Sequence, residues 1–324
     1  MGDAPESILQ VRNLSVEFKA RKRVIKALRD VSLDVPTGKI VGVVGESGCG
    51  KSTLILAIMR LLAPNATITQ GEVHFGRRDL LKLREADMQS LRGTEISMIF
   101  QDPLTSLNPV VSIGRQLIDV QHRDSRGLDS KRQRAIQALS QVGIPDPAAR
   151  MNAYPHEFSG GMRQRIAIAM TIIEEPKLLI ADEPTTALDA TLEVQIIHEL
   201  KELQRRYRCS ILFVSHHLGV VADLCDYVVV MYAGEIVEQG SVRDLFHDVR
   251  HPYTEKLMEC DPARIVRTTE RAFPTIPGDL PDLVNLPSGC IFESRCHRSL
   301  QQCAAEAPDT RTVASGHAVS CHLY

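Results

Sequence analysis

The stretch Gly45-Glu46-Ser47-Gly48-Cys49-Gly50-Lys51-Ser52 constrains this chain more than any other. It follows the apolar, strand-length run Ile40–Val44 and leads into a helical pattern over Ser52–Leu62. A turn of this form between a strand and a helix is the phosphate-binding G-x-x-x-x-G-K-[ST] pattern. Its glycines allow backbone torsions and close approaches that a side chain would block. Consecutive N–H groups can then point at phosphate oxygens, and the start of the helix adds the positive end of its dipole. Lys51 supplies a full charge for the β- and γ-phosphates, Ser52 offers a hydroxyl to Mg²⁺, and Thr53 follows on the same first turn. Residues 45–53 are therefore expected to bind ATP with Mg²⁺. The side chain of Cys49 is expected to be incidental.

Such a loop belongs to a mainly parallel sheet flanked by helices. Strands are expected at Ile40–Val44, Ile96–Phe100, Leu178–Ala181, Ile211–Val214 and Tyr227–Met231, several of them continuous Val/Ile/Leu runs, as in a sheet covered on both faces. Leu192, Ile196, Leu200 and Leu203 form one apolar stripe at helical spacing. From Gln101 to Phe158 the pattern turns loop-rich and then helical, with Ala135, Ile136, Leu139 and Val142 on one stripe. That reads as a helical insertion. From Pro262 to Leu286 recurring prolines (Pro274, Pro277, Pro281) have a linker-like composition.

The apolar strand Leu178–Ala181 runs into Asp182 and Glu183. Ligands of such sheets bind beyond the carboxyl ends of the strands, and successive side chains point to opposite sides. The two acids should then divide the work. Asp182 is expected to hold Mg²⁺, and Glu183 to polarise the attacking water.

Ser159-Gly160-Gly161-Met162, preceded by Phe158, is similar to the ABC signature sequence, with Phe and Met at its two ends in place of the usual Leu and Gln. The resemblance to ABC ATPases extends over roughly residues 8–250. It implies a P-loop NTPase of ABC type, an α/β fold with a RecA-like parallel-sheet core, an antiparallel β part and a helical subdomain near 103–165. It further implies roles for residues that fall in the family's order. Ser159, Gly160 and Gly161 would contact the γ-phosphate of ATP bound to an opposite subunit. Gln101 would reach Mg²⁺ and the water. Asp189, in Ala187-Leu-Asp-Ala, would lie at the dimer interface. His216 would touch the γ-phosphate, with His217 standing where an aspartate is usual. Phe18 would stack on adenine.

Phe100-Gln-Asp-Pro-Leu-Thr-Ser-Leu-Asn-Pro109, His251-Pro-Tyr-Thr254 and the tail from Gly289 to Cys321 resemble the oligopeptide/dipeptide importer branch. The branch implies a C-terminal extension over 251–324 and transport of a peptide or related small solute. Its partners would be a second, paralogous ATPase subunit, two transmembrane permease subunits and an extracytoplasmic solute-binding protein. Four of the eight cysteines (Cys290, Cys296, Cys303, Cys321) fall in this tail. Their spacing lacks the C-x-x-C pairs of common zinc sites. Four thiolates can hold a [4Fe–4S] cluster, as the branch implies, while zinc and free thiols stay open. Cys49, Cys209, Cys225 and Cys260 read as small buried hydrophobes.

Composition sets limits on the rest. The 38 basic and 40 acidic residues give a net charge of −2, without the basic excess of a nucleic-acid binder. No run reaches the ~18 apolar residues of a membrane span, and the N-terminus lacks a secretory signal. These limits lead to the expectation of a cytosolic chain, and the resemblance to the importer branch implies a peripheral place on the cytoplasmic face of the inner membrane. The rival reading, a soluble ABC ATPase acting on nucleic acid or ribosomes, would call for tandem ATPase halves, a long coiled coil or a basic surface.

Overall fold

The structure, a computed structural model, describes residues 6–21, 23–102, 106–186, 189–261 and 274–324. The described chain divides into two compact units, one of residues 1–83 with 213–324 and the other of residues 84–212.

The first unit begins with two long strands, β1 (Ser7–Ala20) and β2 (Arg23–Pro36), which pair antiparallel. Sequence reasoning named neither. Leu9 and Val11 are buried, but so are Leu14 and Val16, so the inward side switches from odd to even positions. β2 switches the other way between Leu28 and Val31. A strand can do this only through a bulge. Asn13 and Asp30 supply them, with φ of 49° and 50°, and the Asn13 amide donates to the Asp30 carboxylate at 2.6 Å. β4 (Ala66–Phe75) pairs with the other edge of β1 and carries β5 (Arg78–Asp79), giving the order β2-β1-β4-β5. Where it crosses the bulge, β4 has Gly71, at which a Cβ would lie 2.6 Å from the Leu14 Cα.

The second sheet of this unit centres on β3 (Ile40–Val44), parallel to β9 (Tyr227–Tyr232). β10 (Glu235–Ser241) is antiparallel to β9. β12 (His317–Ser320), from the end of the chain, pairs with β10 and with β11 (Thr310–Ala314). Buried Glu238 anchors this addition. Its carboxylate accepts from the His317 ring at 2.9 Å and from the amides of Arg250 and His251.

The proline-bearing stretch is no free linker where it is described. The Leu283 carbonyl accepts from the Lys26 amide, and the carbonyls of Ile276 and Pro277 accept from Arg295. Pro262 lies outside the described residues.

In the second unit β6 (Ile96–Ile99) runs parallel to β7 (Leu178–Asp182). Helices Ile113–Asp119 and Leu128–Gln141 form the expected insertion, with Ala135, Leu139 and Val142 fully buried. Helix Ala190–Tyr207 buries Ile196, Leu200 and Leu203 along its expected stripe. The division between units falls inside β8 (Ser210–Val214), all five residues of which are buried. No helix among the described residues is long and apolar enough to cross a membrane.

Candidate functional site

The loop after β3 is the candidate phosphate cradle. Gly45 has φ of 153°, and a Cβ there would sit 2.1 Å from the Met231 carbonyl oxygen. At Gly50, with φ of 107°, a Cβ would lie 2.8 Å from the Leu28 side chain and 3.0 Å from the Ala27 carbonyl oxygen. Both positions exclude any side chain. The Gly234 amide donates to the Cys49 carbonyl, so the turn between β9 and β10 supports the loop from below. The Cys49 thiol is buried beneath the loop, and burial raises its pKa. It is a packing element, as is buried Cys209, whereas Cys225 and Cys260 are half-buried.

The helix after the loop spans Lys51–Ile58, shorter than the sequence pattern indicated. Arg60, with φ of 52°, ends it in a Schellman turn, in which the Leu61 amide bonds to the Leu56 carbonyl and the Arg60 amide to that of Ala57. At the other end the first N–H groups of a helix have no partner within the helix. Lys51, Ser52 and Thr53 are the residues of that first turn. Lys51 is 5% exposed, and its ammonium donates to the carbonyls of Gly45 at 2.7 Å and Glu46 at 3.1 Å. The charge is thus held inside the loop rather than in solvent. Ser52 is exposed on the first turn, and Thr53 is half-buried behind it.

Elsewhere in this unit, Phe18 lies half-buried near the end of β1, opposite Ile25 and Ala66. His216 follows β8, exposed, its ring edge-on to His217 with 4.3 Å between centroids.

The second unit holds the acids. Asp182 ends β7 and is buried. Glu183 turns the chain off the strand with φ of 44°, an uncommon torsion for a residue with a Cβ. Its Oε2 accepts from the Gln101 amide at 3.1 Å and from the Thr186 hydroxyl at 3.0 Å. Gln101 and Glu183, 82 positions apart, are thus brought together. Thr186 was not foreseen, although its place three residues after Glu183 in a turn is the local signal that could have found it. Pro103, Leu104 and Thr105 of the segment after Gln101 lie outside the described residues.

Ser159 is the N-cap of helix Gly160–Ile172, its hydroxyl accepting from the Met162 amide. At Gly160 a Cβ would meet nothing within 4 Å, whereas at Gly161 it would touch Leu192 at 3.0 Å. Gly160 thus leaves backbone open, and Gly161 lets helix Ala190–Tyr207 pack close. Asp189 caps that helix, accepting from the amides of Thr191 and Leu192 at 3.0 Å each. Such a cap contributes about 1 kcal/mol. Ala187 and Leu188 lie outside the described residues.

Two family profiles match the chain. That of the ABC transporter covers residues 28–186, and that of the oligopeptide/dipeptide transporter C-terminal region covers 237–303. The dipeptide transport ATP-binding protein DppD of Bacillus subtilis is 44% identical over 320 residues, spanning 98% of this chain and 95% of the relative. The oligopeptide transport ATP-binding protein OppD of the same organism is 44% identical, over 98% of this chain and 88% of its own length. The Escherichia coli DppD is 42% identical, over 98% and 96%.

The chain belongs to the ABC transporter family.

It is an ATPase of the kind coupled to transport, and the family implies ATP and Mg²⁺ as its ligands. Among solved structures, the ATP-binding cassette MJ0796, dimeric in a post-hydrolysis state with ADP and Pi, superposes with a TM-score of 0.65 at 26% identity, over 72% of this chain and 99% of that one. cbiO1 of Clostridium perfringens, part of an ABC transporter complex, gives 0.65 at 27% identity, over 75% and 92%. The mixed α/β cassette fold is therefore that of ABC ATPases. The relatives carry transport names, and the nucleic-acid reading finds no support in them.

Two of the four tail cysteines meet through the backbone, the Cys290 amide donating to the Cys303 carbonyl at 2.7 Å. Burial first, then the charges of Cys303, Cys321 and Cys296, push the Cys290 thiol up to about 11. Cys296 and Cys321 are raised in the same way, burial again leading. Among the described residues, the only group of three or more ligand side chains with donor atoms within 4.8 Å of one another is Glu72, His74 and Asp79. No three of the four tail sulfurs therefore lie within 4.8 Å of one another, and the tail shows no clear preformed site for a metal or a cluster.

Proposed function

We propose that this chain is the ATP-hydrolysing subunit of an importer for peptides or a related small solute, peripheral on the cytoplasmic face of the membrane. The observation that carries this reading is identity of 42–46% with peptide-transport ATP-binding proteins along nearly the whole chain, C-terminal region included. Residues 8–250 serve as the nucleotide-binding domain and 251–324 as the extension. The partners are a second, paralogous ATPase subunit, two permease subunits, and a solute-binding protein that acts through them.

In this reading the amides of residues 45–53 and Lys51 hold the ATP phosphates, and Phe18 stacks on the base. Ser52, Gln101 and Asp182 offer oxygen donors, the chemistry that Mg²⁺ takes. Glu183 draws a proton from the attacking water. His216 touches the γ-phosphate. Ser159, Gly160 and Gly161 act on the nucleotide of the partner ATPase, near Asp189. Phosphoryl transfer needs little covalent help, so positioning and charge stabilisation supply the catalysis. ATP shifts the ATPase pair toward its closed state through its higher affinity for that state.

The test is an affinity pull-down of tagged Glu183→Gln protein with ATP from solubilised membranes. Recovery of two polytopic permease subunits and a second ATPase is expected. Ribosomes or DNA-repair proteins without a membrane partner would overturn the transport reading.

The tail thiols form the donor set of a [4Fe–4S] cluster held by Cys290, Cys296, Cys303 and Cys321. Such a cluster would staple a segment with a thin core. Anaerobic purification is expected to yield brown protein with about four irons and four sulfides per chain. Colourless, iron-free protein would exclude the cluster.

A further inference from the structure

The C-terminal extension reaches the phosphate cradle at Glu46. The Glu46 amide donates to the Tyr253 hydroxyl at 2.9 Å. Its carboxylate is gripped by both ends of the Arg295 fork, Nη1 at 2.8 Å and Nη2 at 3.1 Å. Its carbonyl accepts from Lys51 at 3.1 Å and from the Cys49 amide at 3.2 Å. Every polar group of this one loop residue is thus engaged, the outer two by the extension and the inner one by the catalytic-site lysine.

Arg295 is built for this place. A guanidinium has five N–H donors, and all five are used. Nη1 also reaches the Tyr232 hydroxyl at 3.2 Å, Nη2 the Ile276 carbonyl at 3.1 Å and Nε the Pro277 carbonyl at 2.8 Å. The side chain is 4% exposed and lies over the Tyr232 ring. Tyr232, Tyr253 and Phe292 pack with centroids 4.6–5.4 Å apart and wall the pair in. His251, neutral because burial lowers its pKa to about 3, accepts from the Tyr253 amide and fixes that ring's helix, Pro252–Glu259.

A carboxylate at the second position of a loop that receives phosphates would repel them. We propose that Arg295 and Tyr253 are positioning residues of the nucleotide site. Arg295 cancels the Glu46 charge, and together they hold the loop so that Lys51 meets the phosphates. The extension is then a working part of the ATP site and not only an appendage. This rests on the reading that the cradle binds ATP.

The experiment measures MgATP dissociation constants and the split between KM and kcat on the full chain. Arg295→Met is expected to weaken binding about tenfold, chiefly through KM, because it leaves an uncompensated charge beside the phosphates. Adding Glu46→Gln to Arg295→Met is expected to restore affinity to within about threefold of the parent, since no charge then needs a partner. Arg295→Lys should recover only part, because it keeps the charge and loses the fork. Tyr253→Phe, which deletes one hydroxyl, should weaken binding severalfold and serves if Arg295→Met fails to fold. Affinity within twofold of the parent in both Arg295→Met and Tyr253→Phe overturns the proposal, as does a double variant no better than Arg295→Met. A lowered Tm with unchanged affinity would mark Arg295 as merely structural and also overturn it. If the parent chain itself binds no MgATP, the reading of the cradle fails instead.

Discussion

Glu183→Gln should bind MgATP as the parent does and lose turnover by about 10²–10⁴-fold, the usual contribution of a general base. Glu183 Oε2 accepts from Gln101 and Thr186. The glutamine carbonyl can accept the same two bonds, so the turn that begins at Glu183 survives. A neutral amide cannot take a proton from water, however, and that step is lost. The expected result is a protein that accumulates in the ATP-bound, closed state. Single-turnover hydrolysis measured beside equilibrium binding separates the two effects. Near-normal turnover would refute the role of Glu183. A parallel loss of ATP affinity would instead mean that the acid holds the nucleotide.

Lys51→Ala acts on the other half of the chemistry. The ammonium is buried and tied to the carbonyls of Gly45 and Glu46. Removing it deletes a charge inside the loop and takes the lysine donor from both carbonyls, that of Glu46 keeping the Cys49 amide. Hydrogen bonds to charged groups contribute about 1.5–3 kcal/mol each, so MgATP binding should weaken by roughly 10- to 100-fold. Hydrolysis should fall at least as far, since the charge also supports the transition state. Titration with a fluorescent nucleotide, with thermal unfolding as the control, checks this. Unchanged affinity together with full activity would contradict the assignment.

How legible each part was depended on how local its cause is. β3, β7 and β9 are continuous apolar runs buried on both faces, and they fall within a residue of where composition put them. The caps by Ser159 and Asp189 are as local, reaching only two or three residues ahead, yet they came to light only in the structure. β1 and β2 escaped because their alternation changes phase at Asn13 and Asp30. Over a short window neither strand looks periodic, and the bulge shows only when the two are paired. Helix Lys51–Ile58 ended early because Arg60 takes a left-handed torsion that glycine more often supplies, and nothing in its residue type announces that.

The sequence by itself determined the family and the fold class, through a glycine loop with its lysine and hydroxyls, two acids at a strand end and a signature-like segment. These are contiguous motifs, and their residue types permit few other uses. Only the tertiary structure decided what surrounds Glu46. Tyr253 and Arg295 lie 207 and 249 positions away along the chain. His251-Pro-Tyr was visible as a motif, but its hydroxyl partner was not. An arginine among 38 basic residues carries no mark of its buried acid. Pairs this distant are set by how strands and helices pack, through close approaches such as that of Gly45 to Met231. Local propensity has no access to them.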